Sequence, residues 1–275
     1  MTLGSSPTLR FRGVKVRFDG VTALDLAELD VFDKSRVAIF LGPNGAGKSS
    51  LINAATGYVT VQAPGKVTFE NGIQCELSGL SRDRIVRMGI ARTFQTPALF
   101  PSLTLEESLL LPAVLGRPAS LSRRLVSLFR HPKFHGAAPD LVELLVKEFA
   151  LHSVVTARMD ELPFSMLRRA ELARALAVQP RVLFLDEPSA GADESETNFL
   201  IELIAYKLPE MIRSLFEKGQ YRYPDLAIGL VTHDRALLDG LARNCSHEPM
   251  VHYFERGQLK TSSSLGLWLN SKVNP

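Results

Sequence analysis

The chain has 275 residues, 45% of them hydrophobic and 22% charged, with a net charge of +3. That length suits one large α/β domain with a smaller lobe, or two modest domains, and the apolar content is enough for a full core. The charge is too small to argue for a nucleic-acid partner, and no run approaches the ~18 uncharged apolar residues of a membrane-spanning helix.

Met1 to Gly13 carries no apolar block behind a basic head, so no secretory signal is expected. Cys75 and Cys245 lack any paired spacing and read as two reduced thiols. Residues 36–41, Arg-Val-Ala-Ile-Phe-Leu, form an uninterrupted apolar run and predict a short buried strand. Gly42-Pro43-Asn44-Gly45-Ala46-Gly47-Lys48-Ser49 follows at once, and Ser50-Leu-Ile-Asn-Ala-Ala opens a helix. The spacing is G-x-x-x-x-G-K-S between a strand and a helix, which is the context that makes the motif meaningful. Gly42, Gly45 and Gly47 let the backbone turn tightly and present N–H groups to phosphate oxygens. Lys48 reaches the β- and γ-phosphates, and the Ser49 hydroxyl ligates Mg²⁺. This is a nucleotide site.

Further along, Arg92-Thr93-Phe94-Gln95 carries no reading of its own. Arg117, Arg123, Arg124, Arg130 and Lys133 form a short, interrupted basic cluster, read as a solvated face rather than a lipid-headgroup site. Over 140–149, Leu141, Leu144, Leu145 and Phe149 fall at helical spacing and predict a helix packed within a lobe. Val182-Leu-Phe-Leu185 predicts a second buried strand, ending in Asp186-Glu187-Pro188. Such a pair alone is a common turn. Downstream of a phosphate loop, Asp186 reads as the Mg²⁺ carboxylate and Glu187 as the general base that orients water. A third strand, Leu226 to Thr232, delivers His233, placed for a γ-phosphate contact. The helix starting near Ser195 runs toward Gly219, and Pro209 is expected to end or kink it near Leu208. Val251 to Phe254 predicts a last strand, and Ser262 to Pro275 a frayed tail anchored at most by Trp268.

Taken together, the phosphate loop at 42–49, Gln95 in Ala-Arg-Thr-Phe-Gln, Leu-Asp-Glu-Pro at 185–188 and His233 resemble the ABC ATPase family in order and spacing, over about residues 9–260. The resemblance implies an α/β P-loop NTPase: a RecA-like core, an N-terminal antiparallel β-subdomain and a helical subdomain. It implies a single domain over 1–275, with about 8–95 and 180–260 as core and β-subdomain, about 96–179 as helical lobe, and 261–275 as tail. By the same resemblance Phe18 stacks on adenine, Ser50 completes the phosphate cradle, and Gln95 senses Mg²⁺ and the γ-phosphate. Within the family, Gly89-Ile-Ala-Arg-Thr-Phe-Gln95 and the segments around 128–134 and 140–149 are most similar to ATPase subunits of branched-chain amino acid and urea importers. That implies ATP and Mg²⁺ as cofactors, transmembrane permease subunits as partners, and a peripheral place on the cytoplasmic face of the inner membrane.

The family's members pair head to tail, each lending the other a signature motif, usually Leu-Ser-Gly-Gly-Gln. Here the matching stretch is Leu162-Pro163-Phe164-Ser165-Met166, which keeps only Leu162. Pro163 has neither N–H nor hydroxyl, and Ser165 puts a Cβ where glycine lets backbone approach the anion. Ser165 keeps an N–H at a helix start, so the contact is weakened. A second ATPase subunit with an intact signature is therefore expected, a heterodimer rather than a homodimer. The leading function is ATP hydrolysis coupled to import of a small solute of amino acid, amide or urea type. The alternative is a slowly hydrolysing, nucleotide-gated assembly subunit. ABC ATPases of translation or DNA repair are set aside, since neither a second ATPase half nor a long coiled-coil insertion is present.

Overall fold

The computed structural model describes residues 7–94, 100–115 and 137–273. In chain order the elements are β1 (Thr8–Phe18), β2 (Val21–Val31), β3 (Val37–Leu41), α1 (Lys48–Ala55), β4 (Lys66–Glu70), β5 (Gln74–Glu76) and α2 (Arg82–Arg87). Next come β6 (Ile90–Arg92), α3 (Leu105–Leu115), α4 (Ala137–Glu148), α5 (Phe164–Ala177) and β7 (Val182–Asp186). The chain continues with α6 (Glu194–Glu202), α7 (Leu208–Glu217), β8 (Ala227–Val231), α8 (Arg235–Asn244), β9 (Met250–Glu255), β10 (Gln258–Ser264) and α9 (Leu265–Val273). They group into two compact units. One comprises 1–85, 184–206 and 227–275, the other 86–183 and 207–226.

The first unit holds an antiparallel sheet in the order β2-β1-β4-β5. Its inner face carries Leu9, Phe11, Val14, Val16, Leu24 and Leu26, all buried. Its other face carries ion pairs across the strands, Arg12 to Asp30 at 2.6 Å and Lys15 to Asp25 at 3.2 Å. Such half-exposed pairs set register more than stability. The unit's main sheet runs β10-β9-β3-β8-β7, with β3 parallel to both β8 and β9. Strands β3, β7 and β8 are buried at every residue, as parallel strands covered on both faces must be. All three lie where the sequence predicts them.

In the second unit α3 packs against α4 and α5, burying Leu105, Leu109, Leu141, Leu145, Phe149, Ala173 and Leu176. The stripe predicted over 140–149 faces inward, although Leu144 is only half-buried while Val142 and Val146 are buried. The Gly89 carbonyl accepts from the N–H groups of Arg181 and Val182, joining β6 to the start of β7.

Two local expectations change. The helix from Glu194 does not run unbroken to Pro209: it passes through a π-turn at Leu203–Lys207 and restarts at Leu208. Pro209 sits in the first turn of α7, where its missing N–H costs nothing, so the break falls one turn earlier than its ring alone would require. The tail is not frayed over its described length. β10 pairs with β9 out to Ser264, and α9 buries Leu265 and Leu269, with Trp268 only half-buried. The serines at 262–264 are ladder residues of an edge strand.

One buried group in the main sheet has a pH consequence. His252 on β9 is 4% exposed, stacks on Phe40 at 5.7 Å, and its Nδ1 lies 2.9 Å from the Ser262 hydroxyl. Burial lowers its pKa from 6.5 to about 4. The unfolded chain therefore takes up this proton before the folded one does, and stability is lost as pH falls through that window. His252→Gln is expected to remove about 3 kcal/mol of the acid-induced loss between pH 6.5 and 4, at ~1.36 kcal/mol per unit. Denaturant melts at the two pH values check this; equal acid sensitivity in both proteins refutes it.

Candidate active site

β3 ends at Leu41 and α1 begins at Lys48, so residues 42–47 turn the chain from strand to helix as predicted. Two glycines are required by close approach. A Cβ on Gly42 would stand 2.1 Å from the Phe254 carbonyl oxygen, and one on Gly47 2.7 Å from that of Ala23. Both also have positive φ, 140° and 101°. No side chain caps α1, so its first-turn N–H groups, from Lys48, Ser49 and Ser50, are free of intrahelical acceptors and available to an anion. Ser49 is exposed at this end and Ser50 half-buried. Pro43, Asn44 and Gly45 are exposed, while Ala46 is buried beneath the loop.

Lys48 is 7% exposed. Its Nζ donates to the carbonyl oxygens of Gly42 at 2.6 Å and Pro43 at 3.0 Å, arching back over the loop. Burial pulls its pKa down, and the negative charges of Glu187 and Asp186 oppose that. The ammonium and the two carboxylates thus share one field at the ends of β3 and β7.

Asp186 closes β7 and is buried. Glu187 follows in a left-handed conformation, φ 51°, with its N–H donating to the Val231 carbonyl on β8 at 2.9 Å. A non-glycine residue held at positive φ is uncommon and is concentrated where function requires it. Its carboxyl is raised above the ordinary range by burial, against the pull of His233 and Lys48. His233, just past β8, is exposed, and its Nε2 lies 3.5 Å from Glu187 Oε1. Lys48, Asp186, Glu187 and His233, predicted from separate stretches, therefore converge in the first unit.

Phe18, at the end of β1 in the same unit, is 47% exposed, so it is not a core phenylalanine. Gln95 lies outside the described residues, as does the basic cluster at 117–133. Leu162 and Ser165 belong to the second unit. Leu162 is buried, Pro163 is the N-cap of α5, and Ser165 stands in its first turn. Phe164 is 57% exposed, with the Arg168 guanidinium 4.8 Å above its ring. The oxygens expected to hold Mg²⁺, the Ser49 hydroxyl and the Asp186 carboxylate, are the hard donors that ion takes alongside phosphate and water. Among the described residues no group of three acidic, histidine or cysteine side chains is placed to hold a metal ion.

Sequence reading missed one neighbour of the phosphate loop. The two-residue turn between β9 and β10 donates the Gly257 N–H to the Ala46 carbonyl at 3.1 Å and accepts from the Asp25 N–H at 2.7 Å. Adjacent residues at positive φ, Arg256 at 50° and Gly257 at 77°, form this turn. An X-Gly pair between alternating strands was the only local signal, and it says nothing about what the turn touches.

A phosphate-binding loop on a buried parallel sheet, with strand-end acids facing its lysine, defines a P-loop nucleoside triphosphatase. The ABC transporter family model matches residues 24–190. The chain is 37% identical over 209 residues to BraF of Pseudomonas aeruginosa, a high-affinity branched-chain amino acid transport ATP-binding protein, covering 73% of this chain and 77% of BraF. It is 35% identical over 205 residues to LivG of Salmonella typhimurium, described in the same terms, with the same coverage. In fold it is similar to an ATP-binding cassette of an ABC transporter solved in its ADP conformation. That match has a TM-score of 0.70 at 24% identity and covers 98% of this chain and 96% of the other. The chain belongs to the ABC transporter family. It is the ATP-binding subunit of such a transporter, and an ATPase.

Proposed function

We propose that this subunit energises import of a small solute through separate transmembrane permease subunits. Branched-chain amino acids are favoured within the wider class of amino acids, amides and urea. The transport named for BraF and LivG supports the solute class, and no helix among the described residues is long and apolar enough to cross a membrane itself. The subunit sits peripherally on the cytoplasmic face of the membrane. The weakly hydrolysing assembly role gains no support from these relatives.

The observation that carries the reading is the convergence of Lys48, Asp186, Glu187 and His233 in one unit, with His233 3.5 Å from Glu187. In this mechanism the adenine stacks on Phe18, and the N–H groups of Gly45 and of residues 47–50 hold the phosphates at the α1 N-terminus. Lys48 leaves the Gly42 and Pro43 carbonyls for the β- and γ-phosphates. Glu187 accepts a proton from the attacking water, and His233 steadies the γ-phosphate. Mg²⁺, held by Ser49, Asp186 and Gln95, would supply charge neutralisation on the phosphate oxygens. A second ATPase subunit closes the site with its own signature.

Lys48→Ala is expected to weaken ATP binding by about 10- to 100-fold, the loss of one charge-assisted contact to phosphate. In vesicles containing the subunit and its permease, ATP-dependent leucine uptake should disappear with it. Unchanged ATP affinity refutes the site. ATP-driven uptake of a sugar in place of leucine refutes the solute class.

A further inference from the structure

We infer that the Arg256-Gly257 turn is a positioning element for ATP binding, because it fixes the orientation of the Ala46–Gly47 peptide in the phosphate loop. This deepens, and rests on, the reading of residues 42–49 as the ATP phosphate site. A phosphate cradle works only if successive peptide units turn their N–H groups toward the anion, so their carbonyls must be satisfied on the other side. At Ala46 the satisfying group is the Gly257 N–H, at 3.1 Å. A trans peptide is planar, with its C=O and the following N–H pointing in opposite directions. Holding the Ala46 carbonyl toward Gly257 therefore turns the Gly47 N–H the opposite way, toward the concave side of the loop. Loss of the Gly257 bond would leave that peptide free to flip and present a carbonyl to phosphate.

The turn is itself held on three sides. Its carbonyl accepts from Asp25 on β2, its backbone lies 3.2 Å from where a Gly47 Cβ would be, and Phe254, just before it, lines the loop at Gly42. Gly257 is buried although it sits at a hairpin tip. A Cβ there would stand 3.1 Å from the Ala23 carbonyl oxygen and 3.3 Å from Leu24 Cα, both on β2, so an alanine forces the turn and β2 apart by a few tenths of an ångström, which lengthens the bond to Ala46. Gly72 provides an internal comparison. It too lies in a hairpin turn, with φ 76° against 77°, yet a Cβ on it meets nothing within 4 Å.

The test compares full-length Gly257→Ala and Gly72→Ala for thermal stability and for binding of ATP followed by a fluorescent nucleotide analogue. Both substitutions impose the same left-handed strain, so both should lower the melting temperature. Only Gly257→Ala should weaken ATP, by about tenfold, a typical cost for one lost oriented hydrogen bond to charge. Hydrogen exchange on the wild-type chain gives a second readout that does not depend on the variant folding. The amide of Gly257 should exchange more slowly with ATP present, and in Lys48→Ala this slowing should need about 10- to 100-fold more ATP. Equal ATP affinity in the two glycine variants, or exchange at Gly257 indifferent to ATP, overturns the inference. Failure of the wild-type chain to bind ATP at all overturns the nucleotide site instead.

Discussion

Glu187→Gln is expected to lower ATP hydrolysis by about 10²- to 10⁴-fold, the usual contribution of a general base, while ATP binding stays near the wild-type level. In the proposed mechanism the two effects separate because Glu187 would act on the water, while Lys48 and the loop would hold the phosphates. Its environment adds a pH signature. Burial raises its carboxyl above the ordinary value of 4.5, with His233 and Lys48 opposing. The base must be deprotonated to act, so hydrolysis should fall as pH drops through that raised value, and the acid limb should lie above that of a free glutamate. In the glutamine variant this limb should vanish from what activity remains. Steady-state phosphate release across pH, beside an ATP titration, measures both. Turnover close to wild type would remove Glu187 from the chemistry and revive the reading of a nucleotide-gated assembly subunit.

Restoring the signature should have the opposite effect. The chain changed to Pro163→Ser, Phe164→Gly and Ser165→Gly is expected to hydrolyse ATP about 10²- to 10³-fold faster on its own, since one missing oriented donor typically costs ~2.7–4 kcal/mol. Pro163 caps α5 with no side-chain hydrogen bond and supplies no donor of its own. Phe164 projects where the usual sequence has glycine, its ring covered by Arg168. In a homodimer both sites would face this altered end; in a heterodimer only one would. Adding a second ATPase subunit with an intact signature should therefore raise turnover of the unaltered chain. Brisk activity of that chain alone, cooperative in its own concentration, would defeat heteromeric pairing.

The candidate site was legible because it is written in short stretches. Strands β3, β7 and β8 are apolar runs whose burial follows from composition, and 42–49 is a local motif whose glycines and lysine have one physical use. Asp186, Glu187 and His233 could be read because each closes such a strand. The helix from Glu194 was harder. Pro209 signals a break, but where the chain unwinds depends on the packing of Leu203, Ile204 and Ala205, all buried. The role of the long 205–225 connection could not be read from its own residues. Tyr221 donates to the Pro180 carbonyl at 2.9 Å and Gln220 to Asp140 at 2.9 Å, which ties it into the second unit.

By itself the sequence showed the phosphate loop and the strand-end acids, each from residues within a few positions of one another, and the family from the order and spacing of such short motifs along the chain. Tertiary structure alone decided that Lys48 arches onto Gly42 and Pro43, that Glu187 takes a left-handed conformation against Val231, and that the serines of 262–264 pair in a strand. It alone brought Gly257 to Ala46. The reason is physical: register between strands some two hundred residues apart is chosen by the packed core, and no local propensity reports which turn will come to rest against the phosphate loop.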